Sequence, residues 1–325
     1  MYTVNNSDLI FGPVPSRRLG RSLGVNNIPA KLCSYSCVYC QLGRTITYET
    51  KRSKFYEPDQ IIQEVAKKVN EVESRGEKVD YVTFVPDGEP TLDINLGQEI
   101  EKIKNMGIRT AVITNSSLIY LQDVQNDLSL SDWVSLKIDT VNREKWIRIN
   151  RPHPKINFNE MLLAMQDFSN KYTGYLATET MLVNGIQDEN DLIQIASFVA
   201  SMKNLRKSYI SIPTRPPAEG WVIPPTNDLI NIAYQIFSRA LDQKRVEYLI
   251  EYEGDDFAVN DNPINSILSI ISVHPMKREA IERLLQERGI EWEVFQGLVD
   301  KNIIIELKYG KDIFYMKSLP GRKRN

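Results

Sequence analysis

Residues 33–45 read "CSYSCVYCQLGRT", and Cys33, Cys37 and Cys40 are all the cysteines that the 325-residue chain contains. Such crowding needs a reason. An odd number of thiols cannot pair off internally, and bridges between cysteines three or four residues apart would be strained. A structural zinc site closes with four ligands, and the two histidines, His153 and His274, lie far off in sequence. Three thiolates at spacings of four and three suit a compact loop around one iron–sulfur cube. Three ligands leave one iron corner open, which is what reactive chemistry requires. The plain alternative is three unrelated buried cysteines.

The Cys-x3-Cys-x2-Cys pattern, with the aromatic Tyr39 just before the last cysteine, resembles the cluster loop of radical S-adenosylmethionine (SAM) enzymes. The resemblance implies a [4Fe-4S] cluster on Cys33, Cys37 and Cys40, with SAM chelated to the open iron. It implies one-electron cleavage of SAM to methionine and a 5′-deoxyadenosyl radical, which abstracts hydrogen from a substrate. It therefore also implies an electron donor of flavodoxin or ferredoxin type.

Outward from the loop, the pattern alternates strands and helices. "SLGVNNI" (residues 22–28) reads as a first strand and leads into the cysteines. Pro58 opens a helix with Ile61, Ile62, Val65, Ala66, Val69 and Val72 on one face, and Gly76 ends it. "DYVTFV" (80–85), "IRTAVIT" (108–114), "WVSLKI" (133–138), "GYLATETMLV" (174–183) and "SYISIP" (208–213) read as five further strands. Helical patterns lie between them, at 96–106, 159–170 and 188–202. This order predicts an α/β fold with a parallel sheet and right-handed crossovers. Six units are too few for a closed eight-stranded barrel. They match the partial (βα)6 barrel that the resemblance implies, with the site at the C-terminal strand ends.

Those ends carry the remaining candidates. "PDGEPT" (86–91) stands where the family has a Gly-Gly-Glu-like stretch for the SAM amino group; Asp87 replaces the first glycine, while Gly88 and Glu89 remain. An ordinary Asp-Gly turn explains the same residues. "TNSS" (114–117) places Asn115 where the family has Thr-Asn-Gly. Ser135, Lys137 and Asp139 alternate along the fourth strand and so share one side. The resemblance makes Tyr39, Gly88, Glu89, Asn115, Ser135, Lys137 and Asp139 cofactor-binding candidates, with Glu179 a further one. A structural Lys–Asp pair is the alternative for Lys137 and Asp139. "PTRPP" (213–217) either approaches the ligand or forms a rigid loop. Arg17, Arg18 and Arg21 before the first strand, and Arg44, Lys51, Arg52 and Lys54 after the cysteines, either draw an anionic substrate to the mouth or are solvated surface.

The N-terminal stretch, the cysteine loop and "INRPHP" (149–154) together resemble a prokaryotic branch related to wyosine-type tRNA-modifying enzymes. For that activity the resemblance implies a second cluster, for which this chain has no cysteines. Residues 1–254 read as the barrel, and 255–325 as a small winged-helix-like domain of three helices and a hairpin. From residue 263 on there are 11 Lys and Arg against 8 Asp and Glu. Much of that excess sits in the final "GRKRN", and the third helix carries Glu291, Glu293 and Asp300 against Lys301. The module thus fits protein docking better than specific DNA reading.

Net charge is -2 and no apolar run approaches the ~18 residues of a membrane span, so neither a general nucleic-acid binder nor a membrane protein is expected. No signal peptide is read, and the cytoplasm is the expected compartment. Two functions are weighed. One is a radical SAM enzyme acting on a macromolecule, tRNA or polypeptide. The other is a nucleic-acid-binding regulator with a redox-sensing cluster.

Overall fold

The computed structural model of the chain describes residues 9–250 and 263–318. The sheet begins with an antiparallel pair, β1 (Ile10–Ser16) and β2 (Gly20–Val25). Between β2 and the next sheet strand the chain forms the cysteine loop, bracketed by the two-residue strands β3 (Leu32–Cys33) and β4 (Thr47–Tyr48). It continues through α1 (Pro58–Glu73), β5 (Tyr81–Phe84), α2 (Leu96–Asn105), β6 (Thr110–Thr114), α3 (Gln122–Ser129) and β7 (Trp133–Lys137). Next come α4 (Arg143–Asn150), α5 (Phe158–Lys171), β8 (Tyr175–Met181), α6 (Glu189–Ala200), β9 (Leu205–Ser211), α7 (Asn227–Leu241) and β10 (Val246–Leu249).

The sheet order is β1-β2-β5-β6-β7-β8-β9-β10, parallel from β2 onward. The α/β class expected from sequence is present. The expected six strands are six of eight: β10 adds a seventh parallel strand, and β1 adds an antiparallel edge. The first expected strand also starts and ends earlier, at Gly20–Val25. Inward-facing Leu19, Ala111, Trp133, Ala177, Tyr209 and Leu249, drawn from both halves of the sheet, pack in one cluster. Such packing requires the sheet to curl, giving a half-barrel. The helices cover its outer face over a continuous apolar core that includes Ile61, Val65, Phe84, Ile100, Val134, Phe168 and Phe237.

The C-terminal part consists of α8 (Pro263–Val273), β11 (Met276–Lys277), α9 (Arg278–Gln286), α10 (Trp292–Asp300), β12 (Ile304–Tyr309) and β13 (Asp312–Lys317). Its antiparallel sheet runs β11-β13-β12. It has its own core of Ile267, Ile270, Ile271, Met276, Leu285, Phe295 and Tyr315, among others. The boundary expected at residue 255 and the basic 321–325 lie outside the described residues. Among the described residues no helix is long and apolar enough to cross a membrane.

Candidate active site

The cysteine loop is tied at both ends. Cys33 lies opposite Tyr48 in the β3–β4 pair. Inside the loop Cys40 N donates to Cys37 O at 3.1 Å, Gly43 N to Cys40 O at 3.0 Å, and Thr45 Oγ1 to Tyr35 O at 2.6 Å. The end of α4 braces it: Ser36 N donates to Asn150 O (3.0 Å) and Val38 N to Ile149 O (2.9 Å). All three cysteines line a cavity of about 400 Å³ at the C-terminal ends of the strands.

The residues present fit an iron–sulfur cluster. Burial, and then the charge of Asp139, push the Cys37 thiol up to about 12, while burial and Glu89 push Cys33 up. Such thiols ionise readily only beside a strong cation such as a metal cluster. Among the described residues no three His, Cys, Asp or Glu side chains are grouped to hold a single metal ion, these cysteines included. Asn115 Nδ2 and Asn150 Nδ2 each donate to a cysteine sulfur, Cys33 Sγ and Cys37 Sγ, at 3.5 Å.

After β5 the chain presses directly on the loop. Gly88 bridges to Leu32, and a side chain at Gly88 would overlap the Leu32 carbonyl, so only glycine fits this approach. Glu89 is fully buried, and burial raises its pKa despite four donors: Thr91 N (3.1 Å), Thr91 Oγ1 (2.6 Å), Thr114 Oγ1 (2.6 Å) and Asn115 N (2.7 Å). Three of these reach Oε1 and one reaches Oε2, which leaves Oε2 capacity for one more donor. Asp87 also lines the cavity, 3.9 Å from Lys31. Burial, only partly offset by Lys31, raises it to about 6.

On the far wall Lys137 donates to Glu179 at 2.7 Å. Arg18 reaches the same carboxylate at 2.6 Å and Ser211 Oγ at 3.1 Å. Burial opposes ionisation of Glu179, but Lys137 and Arg18 outweigh it and hold the carboxyl down at about 2. Lys137 stands 5.2 Å from the Tyr39 ring and 3.8 Å from Asp139. Asp139 does not line the cavity; it accepts from Tyr39 Oη, Asn150 Nδ2 (2.7 Å) and Met181 N (2.9 Å). Ser135 shares the inward face but lies below the cavity and does not line it. The structure thus brings Tyr39, Gly88, Glu89, Asn115 and Lys137 to the cavity beside the cysteines, and leaves Ser135 and Asp139 out of its lining.

Of the basic residues flanking the loop, Arg18 lines the cavity. Arg52 points elsewhere: it donates to the carbonyls of Thr91 (2.9 Å) and Asp93 (2.6 Å) and pairs with Asp123 and Asp127. Lys54 pairs with Glu57 and Arg21 with Glu77. "PTRPP" does approach the cavity, through Pro213, Thr214 and Arg215. Sequence reasoning missed Asn150 as a brace of the loop, and it missed Glu219, which grips Arg44 (2.7 Å) and Arg151 (2.6 Å). Their only sequence signal was the quoted "INRPHP" and an acid after a proline-rich stretch. The C-terminal part roofs the cavity: His274 lines it and lies 2.6 Å from Arg215, Tyr309 Oη donates to Pro213 O (2.9 Å), and Leu42 packs with Ile305, Leu307, Phe314 and Met316.

The model of the radical SAM superfamily matches residues 27–199. The chain belongs to the radical SAM superfamily. The matched span runs from just ahead of the cysteine loop through most of α6, so every cofactor candidate falls inside it. UPF0026 protein MJ1312 of Methanocaldococcus jannaschii is 42% identical over 318 residues, covering 98% of each chain. A radical SAM methyltransferase from Sphaerobacter thermophilus superposes with a TM-score of 0.53 at 13% identity, over 71% of this chain and 66% of that one. TYW1 with a lysine-pyruvate adduct bound gives 0.50 at 16%, over 68% and 74%. At these identities the two structures share the radical SAM half-barrel with this chain, and the likeness shows the fold alone.

Proposed function

We propose that this radical SAM enzyme holds a [4Fe-4S] cluster on Cys33, Cys37 and Cys40 and binds SAM in the adjoining cavity. The observation that carries the reading is the convergence of the three cysteines with Glu89, Asn115 and Lys137 on one cavity. When bound, the cluster supplies the electron that cleaves SAM to methionine and a 5′-deoxyadenosyl radical. The chain's own residues do the rest. Glu89 Oε2 is aimed to accept from the SAM ammonium, Lys137 offers a cation to its carboxylate, and Tyr39, fixed by Asp139 and Asn150, closes the wall beside the last cysteine. His274 lines the cavity from the C-terminal part, and Tyr309 ties that part to Pro213 at the cavity's edge.

The C-terminal part is read as winged-helix-like, and its place on the cavity supports a role in presenting a macromolecular group to the radical. A polypeptide is favoured over nucleic acid because Glu291, Glu293 and Asp300 dominate around α10. A redox-sensing regulator would need no such cavity. The test is anaerobic reconstitution followed by reduction with SAM present. About four irons and four sulfides per chain, with release of 5′-deoxyadenosine, are expected. Cys33→Ala, Cys37→Ala and Cys40→Ala should each abolish that release with the fold retained. One zinc and no sulfide would overturn the reading.

A further inference from the structure

Two charged residues of the cavity wall have no part in the arrangement proposed above. They are Lys31, just ahead of Cys33, and Asp87, which stands where a glycine was expected. Both are buried, with side chains 3% and 7% exposed. The backbone fixes them side by side. Lys31 N donates to Asp87 O at 2.8 Å, and the Lys31 carbonyl accepts from Ile46 N and Thr47 N, each at 3.0 Å. These bonds hold Lys31 at φ 64°, in the left-handed region that a lysine adopts only at a cost. The two side chains do not close on each other. Lys31 Nζ stands 3.9 Å from Asp87 Oδ1, whereas a hydrogen-bonded lysine and carboxylate approach to about 2.8 Å. Among the described residues neither Lys31 Nζ nor Asp87 Oδ2 has a hydrogen-bond partner. A buried donor and a buried acceptor left unpaired both cost stability, so a pair kept for the fold alone would be closed.

The other charges of the cavity wall are answered. Glu179 holds Lys137 and Arg18, Glu89 has its four donors, and Arg215 meets His274. The SAM contacts proposed above run from Glu89 after β5 to Lys137 on β7, which leaves the β1–β2 side of the cavity to the substrate. Lys31 follows β2 and Asp87 follows β5. Phe11, Val14 and Leu19 make that side apolar, and its Ser22 and Thr83 hydroxyls bond each other at 2.6 Å. We propose that Lys31 and Asp87 form the substrate subsite and take a neutral amide group of a polypeptide, whose carbonyl oxygen accepts from Lys31 Nζ and whose N–H donates to Asp87 Oδ2. A carboxylate or phosphate would satisfy Lys31 but meet the like charge of Asp87, and an ammonium would do the reverse. A neutral group with an acceptor beside a donor satisfies both and leaves the two charges balanced. The inference rests on the macromolecular reading proposed above and narrows it.

The experiment uses the reconstituted protein with SAM present and no reductant, so that nothing turns over. Three probes are compared: N-acetylalanine methylamide, which is neutral; N-acetylalanine, an anion; and uridine, whose base also sets an acceptor beside a donor. Saturation-transfer NMR reads probe binding and calorimetry reads SAM binding. Wild type should bind the neutral diamide about tenfold or more tightly than the anion. Asp87→Asn should invert that order, because Lys31 then faces the ligand without its counter-charge; a purely structural pair gives no inversion. Lys31→Met/Asp87→Asn, which strands no charge, should keep its near-UV circular dichroism and lose the diamide signal. SAM affinity should stay within about threefold of wild type in both. Folded variants that bind the diamide as wild type does overturn the proposal. So does a SAM affinity that falls together with the diamide signal, because the pair then belongs to the cofactor. Binding of uridine in place of the diamide also overturns it, and assigns the subsite to a nucleobase. If wild type takes up no iron and sulfide, the cluster reading has failed, and the order of the probes on the same protein still reports separately on Lys31 and Asp87.

Discussion

Gly88 and Lys137 do opposite kinds of work beside the same cysteines. At Gly88 the requirement is space: a methyl there meets the Leu32 carbonyl, in the strand that delivers Cys33. Gly88→Ala should therefore lower stability by about 2–4 kcal/mol and reduce iron incorporation, checked by denaturant melts and iron assay. At Lys137 the requirement is charge. Removing it leaves Glu179 with Arg18 and Ser211, and Asp139 with Tyr39, Asn150 and Met181 N. Neither acid is stranded, so Lys137→Met should cost only about 1 kcal/mol of stability, against ~3–5 for an orphaned buried charge. Its SAM affinity should fall by about tenfold or more by calorimetry. Normal affinity with a loss near 4 kcal/mol would make Lys137 structural. The cysteines, Gly88 and Glu89 were legible because type and spacing carry their chemistry. Asn150 was not: its amide links Cys37, Tyr39 and Asp139, residues 11 to 113 positions away, and only the folded chain shows that.

Element by element, legibility followed local pattern. α1 was readable from its apolar repeat, and Ile61, Val65, Val69 and Val72 are buried as that repeat requires. β1 was not readable, because "IFGPVPS" carries Gly12, Pro13 and Pro15, which argue against a strand. An antiparallel edge strand with an irregular register between Phe11 and Val14 tolerates them. β10 is only four residues long and follows a 3-10 turn, so no periodicity announces it. α2 hides a further feature. Its Glu99 is buried beside Asp93, and both carboxyls are held above their ordinary range, by burial first and, for Glu99, by the Asp93 charge. A carboxyl whose folded pKa is raised keeps its proton in the native chain after the unfolded chain has lost it. Its contribution is complete below the unfolded value of about 4 and is lost as pH rises toward the folded value. Wild-type stability should thus decline between about pH 5 and about pH 8. Glu99→Gln, neutral throughout, should flatten that slope and add about 2 kcal/mol at about pH 8 in denaturant melts. An unchanged slope would show that the pair is ionised and solvated.

Across the whole molecule, the C-terminal part is an independent core attached to a catalytic half-barrel at its mouth. Ile267, Met276, Leu285, Phe295 and Tyr315 form that core, against which Val14 of β1 also packs. Leu307, Phe314 and Met316 are spent differently, on Leu42 two residues past the last cysteine. The attachment therefore bears on the cluster loop itself. Polar links reinforce it where Tyr309 Oη donates to Pro213 O and Arg215 meets His274, but neither replaces apolar burial. Leu307→Ala removes apolar volume at this seam and should cost about 2–4 kcal/mol. Because the part's own core does not depend on Leu307, the loss should appear at the seam. Hydrogen exchange should speed up by about tenfold or more at residues 40–45, while α8 and α9 keep their protection. Solvent reaching the loop should also shorten the lifetime of the reconstituted cluster in air. If instead α8 and α9 lose protection and residues 40–45 keep theirs, Leu307 belongs to the C-terminal core, and the cluster loop is stabilised by the half-barrel alone.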